Sequence, residues 1–257
     1  MTELNDKERL RYSRHLLLKE VGEQGQLALK QAHVAVVGCG GLGSPALFYL
    51  AASGIGKLTF VDDDDVELSN LQRQILYKVN HLGQQKAKAA GKVLASLNNE
   101  IALVPINARL TDKNVAELLR DADIVLDCSD NFTTRYLLNR YCHQASKVLI
   151  AGAAIATQGQ LMCFDFRAES PCYACVFPEG SQTPVESCDN FGVISPLLGV
   201  IGAQQALLTI NVLLGHHQGS VFCTLDGMSL QQKQYGLSKN PECDCCGLRE
   251  FQATNTN

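Results

Sequence analysis

Gly38-Cys39-Gly40-Gly41-Leu42-Gly43 restricts the fold of this chain more than any other segment. It satisfies Gly-x-Gly-x-x-Gly, follows the apolar run that starts at His33, and opens the Ala-rich apolar stretch 44–53. A short apolar run closed by glycine reads as a buried strand, and the stretch after it as a helix. Glycines let the backbone turn tightly and approach a phosphate, and the helix N-terminus adds partial positive charge. Asp62 lies 19 residues beyond Gly43, at the end of the next apolar run. There a carboxylate accepts hydrogen bonds from ribose hydroxyls. The loop alone does not choose between NAD, FAD and ATP.

The rest of the first half repeats the alternation. Residues 57–61, 101–106, 124–127 and 148–151 read as strands, with helices over 84–97, 114–120 and 133–145. Two helices, 4–19 and 24–31, come before the first strand. Strands alternating with helices imply an α/β, Rossmann-like doubly wound, mostly parallel sheet with helices on both faces. Beyond residue 153 the pattern changes. Residues 159–166 alternate like an antiparallel strand, 171–190 form a Pro-, Gly-, Ser- and Cys-rich crossover, and 193–214 a long apolar helix. Residues 220–225 and 230–235 read as a hairpin around Asp226-Gly227. One domain is expected over 1–257: N-terminal helices 1–32, a nucleotide-binding half 33–153, a second half 154–247 that carries the paired cysteines, and a mobile tail 248–257.

Composition excludes several classes. Lys and Arg number 22 against 26 Asp and Glu, so the net charge of −4 argues against a nucleic-acid surface. The charged N-terminus has no apolar signal region. The apolar stretch 193–214 contains Pro196 and Gln204-Gln205, which favours a core helix over a membrane span. A cytoplasmic protein is expected.

Arg73 follows the polar run after Asp62, and Lys86 opens the next helix. A planar fork and a point charge together suit an α-phosphate under attack, more than the two phosphates of a dinucleotide require. Taken singly, each is ordinary surface charge. Asp127 and Asp130 lie just past the fourth strand, at the carboxyl edge where open α/β sheets bind ligands. Either one acid holds Mg²⁺ against phosphates, or the segment caps the following helix.

These motifs occur in order with Arg11-Tyr12-Ser13-Arg14, Ser69-Asn70-Leu71-Gln72-Arg73-Gln74 and two Cys-x-x-Cys pairs. Together they resemble the ubiquitin-activating-like adenylyltransferases that activate bacterial sulfur carrier proteins, the ThiF and MoeB types. The resemblance runs from about Arg11 to Gly247, and the 69–74 block is its most specific part. It implies that a small ubiquitin-fold carrier presents a C-terminal Gly-Gly carboxylate to Mg-ATP, giving an acyl-adenylate and pyrophosphate. It implies ATP-site roles for Gly41, Asp62, Ser69, Asn70, Arg73, Lys86, Asp130 and Asn131, with Asp130 near the Mg²⁺. It also implies a homodimer in which Arg14 reaches the other subunit's ATP. The run Val61-Asp62-Asp63-Asp64-Asp65-Val66-Glu67-Leu68 looks more like the thiamine-pathway branch; the molybdopterin branch is the alternative. An NAD-dependent oxidoreductase would leave Arg73, Lys86 and the cysteine pairs without a role. No further domain follows Asn257 here, so sulfur is expected from a separate donor protein.

The chain has 11 cysteines. Cys172/Cys175 and Cys243/Cys246 have the spacing of thiolate zinc ligands. Cys245 offers a second way to complete the later pair, and Gly247 favours Cys246. In the resembled family a structural Zn²⁺ sits at matching positions. Cys188 matches a cysteine that in the ThiF type forms a sulfur link with the carrier, although Glu186 and Asp189 disfavour a thiolate there. Cys39, Cys128, Cys142, Cys163 and Cys223 lie in apolar runs and read as buried small hydrophobes.

Overall fold

A computed structural model describes residues 3–180 and 192–247. The described residues form an eight-stranded sheet in the order β3-β2-β1-β4-β5-β6-β7-β8. The parallel part is β3 (Ala102–Ile106), β2 (Lys57–Val61), β1 (His33–Val37), β4 (Ile124–Asp127) and β5 (Val148–Ile155). β6 (Gln158–Asp165), β7 (Val221–Asp226) and β8 (Gln232–Tyr235) continue it antiparallel. β1 and β4 are buried at every position, because helices cover both faces. β7 alternates instead, and β8 at the edge is exposed throughout.

Two cores result. On one face α3 (Gly22–Gln31), α4 (Gly43–Ala52), α5 (Lys86–Leu97) and α9 (Ser195–Leu213) cover Val34, Val36, Leu58, Phe60 and Ile150. On the other, α6 (Val115–Leu119), α7 (Phe132–Gln144) and the single turn α8 (Tyr173–Val176) cover Ala35, Val37, Val125, Leu149 and Phe164.

α9 is apolar and long enough to cross a membrane by composition, but it packs into the domain. Its inner face buries Leu197, Leu198, Ile201, Ala206 and Val212. Gln205 is fully buried and satisfied: its Nε2 donates to the carbonyls of Asp127 at 2.9 Å and Ile150 at 3.2 Å. A polar residue thus pins the helix to the sheet.

The N-terminal region differs from the single helix expected over 4–19. It forms α1 (Asp6–Arg11) and α2 (Ser13–Leu16), which meet at Tyr12. Tyr12 is buried, and its hydroxyl accepts a hydrogen bond from Asn98 Nδ2 at 2.9 Å. Burying that ring turns the chain, and Asn5 starts α1 with a reciprocal cap to Glu8. Leu10 and Leu17 are left 79% and 76% exposed, so no described residue covers the leucine face. β5 runs four residues beyond the expected 148–151, because its end pairs with β6. The crossover contains α8, and its continuation over 181–191 lies outside the described residues.

Candidate active site

The strand order reverses between β1 and β4, and a cleft of about 740 Å³ opens there at the carboxyl ends of the strands. Gly38 crosses from β1 toward α4 with φ +95°, and a Cβ on it would lie 2.6 Å from the Cys128 carbonyl oxygen. A Cβ at Gly43 would lie 1.9 Å from the Gly38 carbonyl oxygen. The turn therefore closes only with glycine at both places. Gly40 and Gly41 line the cleft between them.

Asp62 binds the loop from the end of β2. Its Oδ2 accepts the Cys39 N–H at 2.7 Å and its Oδ1 the Asp64 N–H at 3.0 Å. Burial pushes its carboxyl above the usual range, against the Cys39 N–H and the nearby Lys86 charge, which pull it down. Asp62 lines the cleft and holds the loop's shape at once.

Lys86 begins α5. Its side chain is 7% exposed, and Nζ donates to Asp64 Oδ2 at 2.9 Å. Asp64 is 67% exposed, so the ammonium is the buried partner of the pair. Arg73 lines the cleft, with Nη1 on the Ser69 carbonyl at 3.0 Å. Ser69 and Asn70 are not among the lining residues; they build the turn that presents Arg73. Asn70 is buried and its Oδ1 accepts the Glu67 N–H at 3.1 Å, while the Ser69 hydroxyl donates to Glu67 Oε2 at 3.1 Å.

The segment after β4 caps α7, as one of the two readings expects, and separates its two acids. Asp127 is buried below the cleft, where Oδ1 accepts from the Ser129 N–H at 2.9 Å and hydroxyl at 2.6 Å. Its Oδ2 faces Arg135 Nη1 at 3.6 Å. The cap of α7 is Asn131, whose Oδ1 accepts the Thr134 N–H at 2.9 Å. Asp130 is exposed and lines the cleft with Asn131. The Asp130 carboxylate is therefore open to the cleft, while Asp127 is committed to Ser129 and Arg135. Arg14, on α2, is exposed and outside the cleft lining.

Sequence reasoning missed several lining residues. Arg135 is buried beneath the cleft, donating from Nη2 to the carbonyls of Ser129 at 2.7 Å and Gly152 at 2.9 Å. Its place one turn after the Asn131 cap was a usable signal. Gln74 ends the same block as Arg73. Gln158 and Gln160 on β6 face an aromatic wall of Tyr173 and Phe177, which long-range packing alone assembles.

Behind α8, Cys172, Cys175, Cys243 and Cys246 bring their sulfurs within 4.8 Å of one another. Three of the spacings are 3.3, 3.6 and 3.9 Å. A tetrahedral Zn²⁺ with bonds of about 2.3 Å needs S–S edges of about 3.8 Å, so the donor set fits zinc. A hydrogen bond from Cys245 holds the Cys172 thiol below the usual thiol range. Cys245 itself stands outside the four and accepts from Asn139 Nδ2 at 3.2 Å. Cys39, Cys128, Cys142, Cys163 and Cys223 are buried, and burial raises each thiol, Cys163 to about 12. Cys188, with Glu186 and Asp189, lies outside the described residues.

The ThiF family model matches residues 12–245. The chain is 43% identical over 252 residues to the molybdopterin-synthase adenylyltransferase of Salmonella typhimurium, covering 96% of this chain and 100% of that one. It is 39% identical over 245 residues to the sulfur carrier protein ThiS adenylyltransferase of Escherichia coli, covering 95% and 97%. The fold matches that of E. coli MccB with a TM-score of 0.80 at 24% identity, over 94% of this chain and 73% of that one. Motif order, sheet topology and full-length likeness agree: this chain belongs to the ThiF family.

Proposed function

We propose that the chain adenylylates the C-terminal glycine carboxylate of a small ubiquitin-fold sulfur carrier, using Mg-ATP and releasing pyrophosphate. The observation that carries this reading is the convergence of Lys86, Arg73 and Asp130 on a glycine loop at the switch point of the sheet. The loop and the N-terminus of α4 take the phosphates, and Asp62 takes the ribose hydroxyls. The carboxylate oxygen attacks the α-phosphorus, and the bond from that phosphorus to the pyrophosphate oxygen breaks. No general base is needed, since the attacking group is already ionised. Charge develops on the phosphoryl oxygens, and Lys86, 7% exposed, meets it where water does not screen it. Asp130 and Asn131 would hold Mg²⁺, which neutralises the phosphates and the leaving group. The part of the cleft lined by Gln158, Gln160, Tyr173 and Phe177 suits a narrow Gly-Gly tail, with nucleotide binding by 33–153 and carrier binding by 154–247. The four-cysteine site holds a structural Zn²⁺.

The exposed leucines of α1 and α2 suit a homodimer in which Arg14 of the partner subunit completes the site. Activity is assigned to the cytoplasm, with sulfur delivered by a separate donor protein. The carrier is of the thiamine (ThiS) type. The second reading, the small subunit of molybdopterin synthase, is favoured by the 43% likeness to the Salmonella enzyme. ATP–pyrophosphate exchange with each purified carrier tests both. Exchange is expected only with a Gly-Gly-ended carrier and Mg²⁺, and Arg73→Ala is expected to slow it by roughly 10² or more. NAD binding without exchange on either carrier would overturn the reading.

A further inference from the structure

Asn139 lies on α7, one turn beyond Arg135, and is fully buried although the nucleotide chemistry does not use it. Its side chain joins the two segments that carry the four cysteines. Oδ1 accepts the Tyr173 N–H at 2.8 Å, on the residue after Cys172. Nδ2 donates to the Cys245 sulfur at 3.2 Å, in the run that holds Cys243 and Cys246. A backbone N–H can only donate, so Tyr173 fixes which way the amide lies and turns its NH₂ to Cys245.

Tetrahedral zinc takes four thiolates, and Cys245 brings a fifth thiol to the same place. It is a competitor by position, because it hydrogen-bonds Cys172 and so reaches the first ligand of the set. Cys245 and Cys246 are adjacent and equal in chemistry, and either could complete a pair with Cys243. Yet Cys246 joins the group whose sulfurs lie within 4.8 Å of one another, and Cys245 does not. What distinguishes them is the amide that ties Cys245 to α7. We propose that Asn139 decides which thiol binds the metal: its side-chain NH₂ holds Cys245 back, so that Cys246 is the fourth ligand. This rests on the zinc reading given under Proposed function. A hydrogen bond of ordinary net strength biases such a choice by roughly 10-fold.

The test is iodoacetamide labelling of the zinc-loaded full chain, with zinc content measured alongside. Cys245 is half-buried and lines a small cavity of about 100 Å³ with Asn139, so an unligated thiol there can be labelled, whereas a zinc-bound thiolate is shielded. Fragmentation mass spectrometry of the peptide that carries Cys243, Cys245 and Cys246 locates the label. The chains compared are wild type, Asn139→Leu, Asn139→Asp and the double variant Asn139→Leu with Cys245→Ser. Asn139→Asp keeps an acceptor for the Tyr173 N–H and loses the NH₂, so it serves if leucine disturbs folding. In the wild type, label on Cys245 is expected to exceed label on Cys246 by roughly 10-fold. Both single variants are expected to keep one zinc and bring that ratio near one. The double variant is expected to shield Cys246 again, because its competitor is gone; a purely structural Asn139 gives no such rescue. An unchanged ratio in both single variants would overturn the proposal. So would loss of zinc from both, or Cys246 left open to label in the double variant. If the wild type holds no zinc, the metal reading falls and the choice of ligand with it. If the wild type holds zinc and the variants match its labelling, only the role of Asn139 falls.

Discussion

Replacing Gly43 by alanine tests the phosphate loop with a single methyl group. The added Cβ would lie 1.9 Å from the Gly38 carbonyl oxygen and 2.9 Å from its carbon, whereas real Cβ contacts essentially never fall below 3.0 Å. Both partners are backbone, so no side chain can swing away. Gly38 and the start of α4 must part by at least about 1.1 Å to reach 3.0 Å. That shift pulls directly on Cys39, whose N–H donates to Asp62 at 2.7 Å. Misplacement of a reacting group by about 1 Å costs roughly 10²-fold in rate, or about 2.7 kcal/mol of transition-state stabilisation. Overpacking adds a stability cost of about 1–3 kcal/mol, which lowers Tm by several degrees in a domain of this size. The assay is ATP–pyrophosphate exchange at saturating carrier, paired with thermal unfolding. Gly41→Ala is the control, because its closest contact under 3.0 Å is Leu198 Cδ1 at 2.7 Å, the end of a side chain that can rotate. Gly43→Ala is expected to lose at least 100-fold, and Gly41→Ala much less. Exchange by Gly43→Ala within a few-fold of wild type would refute the argument that this turn positions the phosphates. So would an equal loss in the control.

Elemental analysis of protein purified without chelator is expected to find one zinc per chain. Cys172→Ser should lose that zinc and lower Tm, because ligands brought from both ends of a long segment link binding to folding. Mixed Arg14→Ala and Lys86→Ala chains should recover exchange activity that neither has alone, since one site of the mixed dimer regains both residues. Absence of rescue despite demonstrated subunit exchange would argue against sharing between subunits. Cys188→Ser should keep pyrophosphate exchange and lose carrier thiocarboxylate formation with a sulfur donor present. Survival of both would make Cys188 structural and favour the molybdopterin-type reading.

The alternation of strands and helices was legible because each element depends on neighbours a few residues away. β1 through β4 are apolar runs of the right length, and each is followed in turn by a helical stretch. The 4–19 region failed the same test. Its leucine spacing suggested one helix, but Tyr12 is held under Asn98, 86 positions away, and that contact breaks the helix. Periodicity carries no information about a partner so distant in the chain. For the long apolar helix the sequence favoured a core position, and the structure shows what holds it there: Gln205 bonds the sheet at Asp127, 78 positions away.

By itself the sequence determined the parts whose chemistry no other residue can supply. Gly38 at φ +95° and Gly43 against a carbonyl admit no side chain, so the loop announces itself. Four cysteines in two spaced pairs announce a thiolate metal site in the same way. Tertiary structure alone decided among residues of equal chemistry. It buried Asp127 against Arg135 and left Asp130 at the cleft, although both are aspartates three positions apart. It placed Cys246 within the four-sulfur group and kept Cys245 outside it on Asn139, although the two are adjacent. It gave Lys86 an exposed aspartate as partner and left the Gln74 oxygen with none among the described residues. The physical reason is range. A backbone conformation that only glycine tolerates is a local property of the chain. Which of two like side chains reaches a site depends on distances between segments that folding brings together, as with Cys172 and Cys243, 71 positions apart and 3.6 Å from sulfur to sulfur.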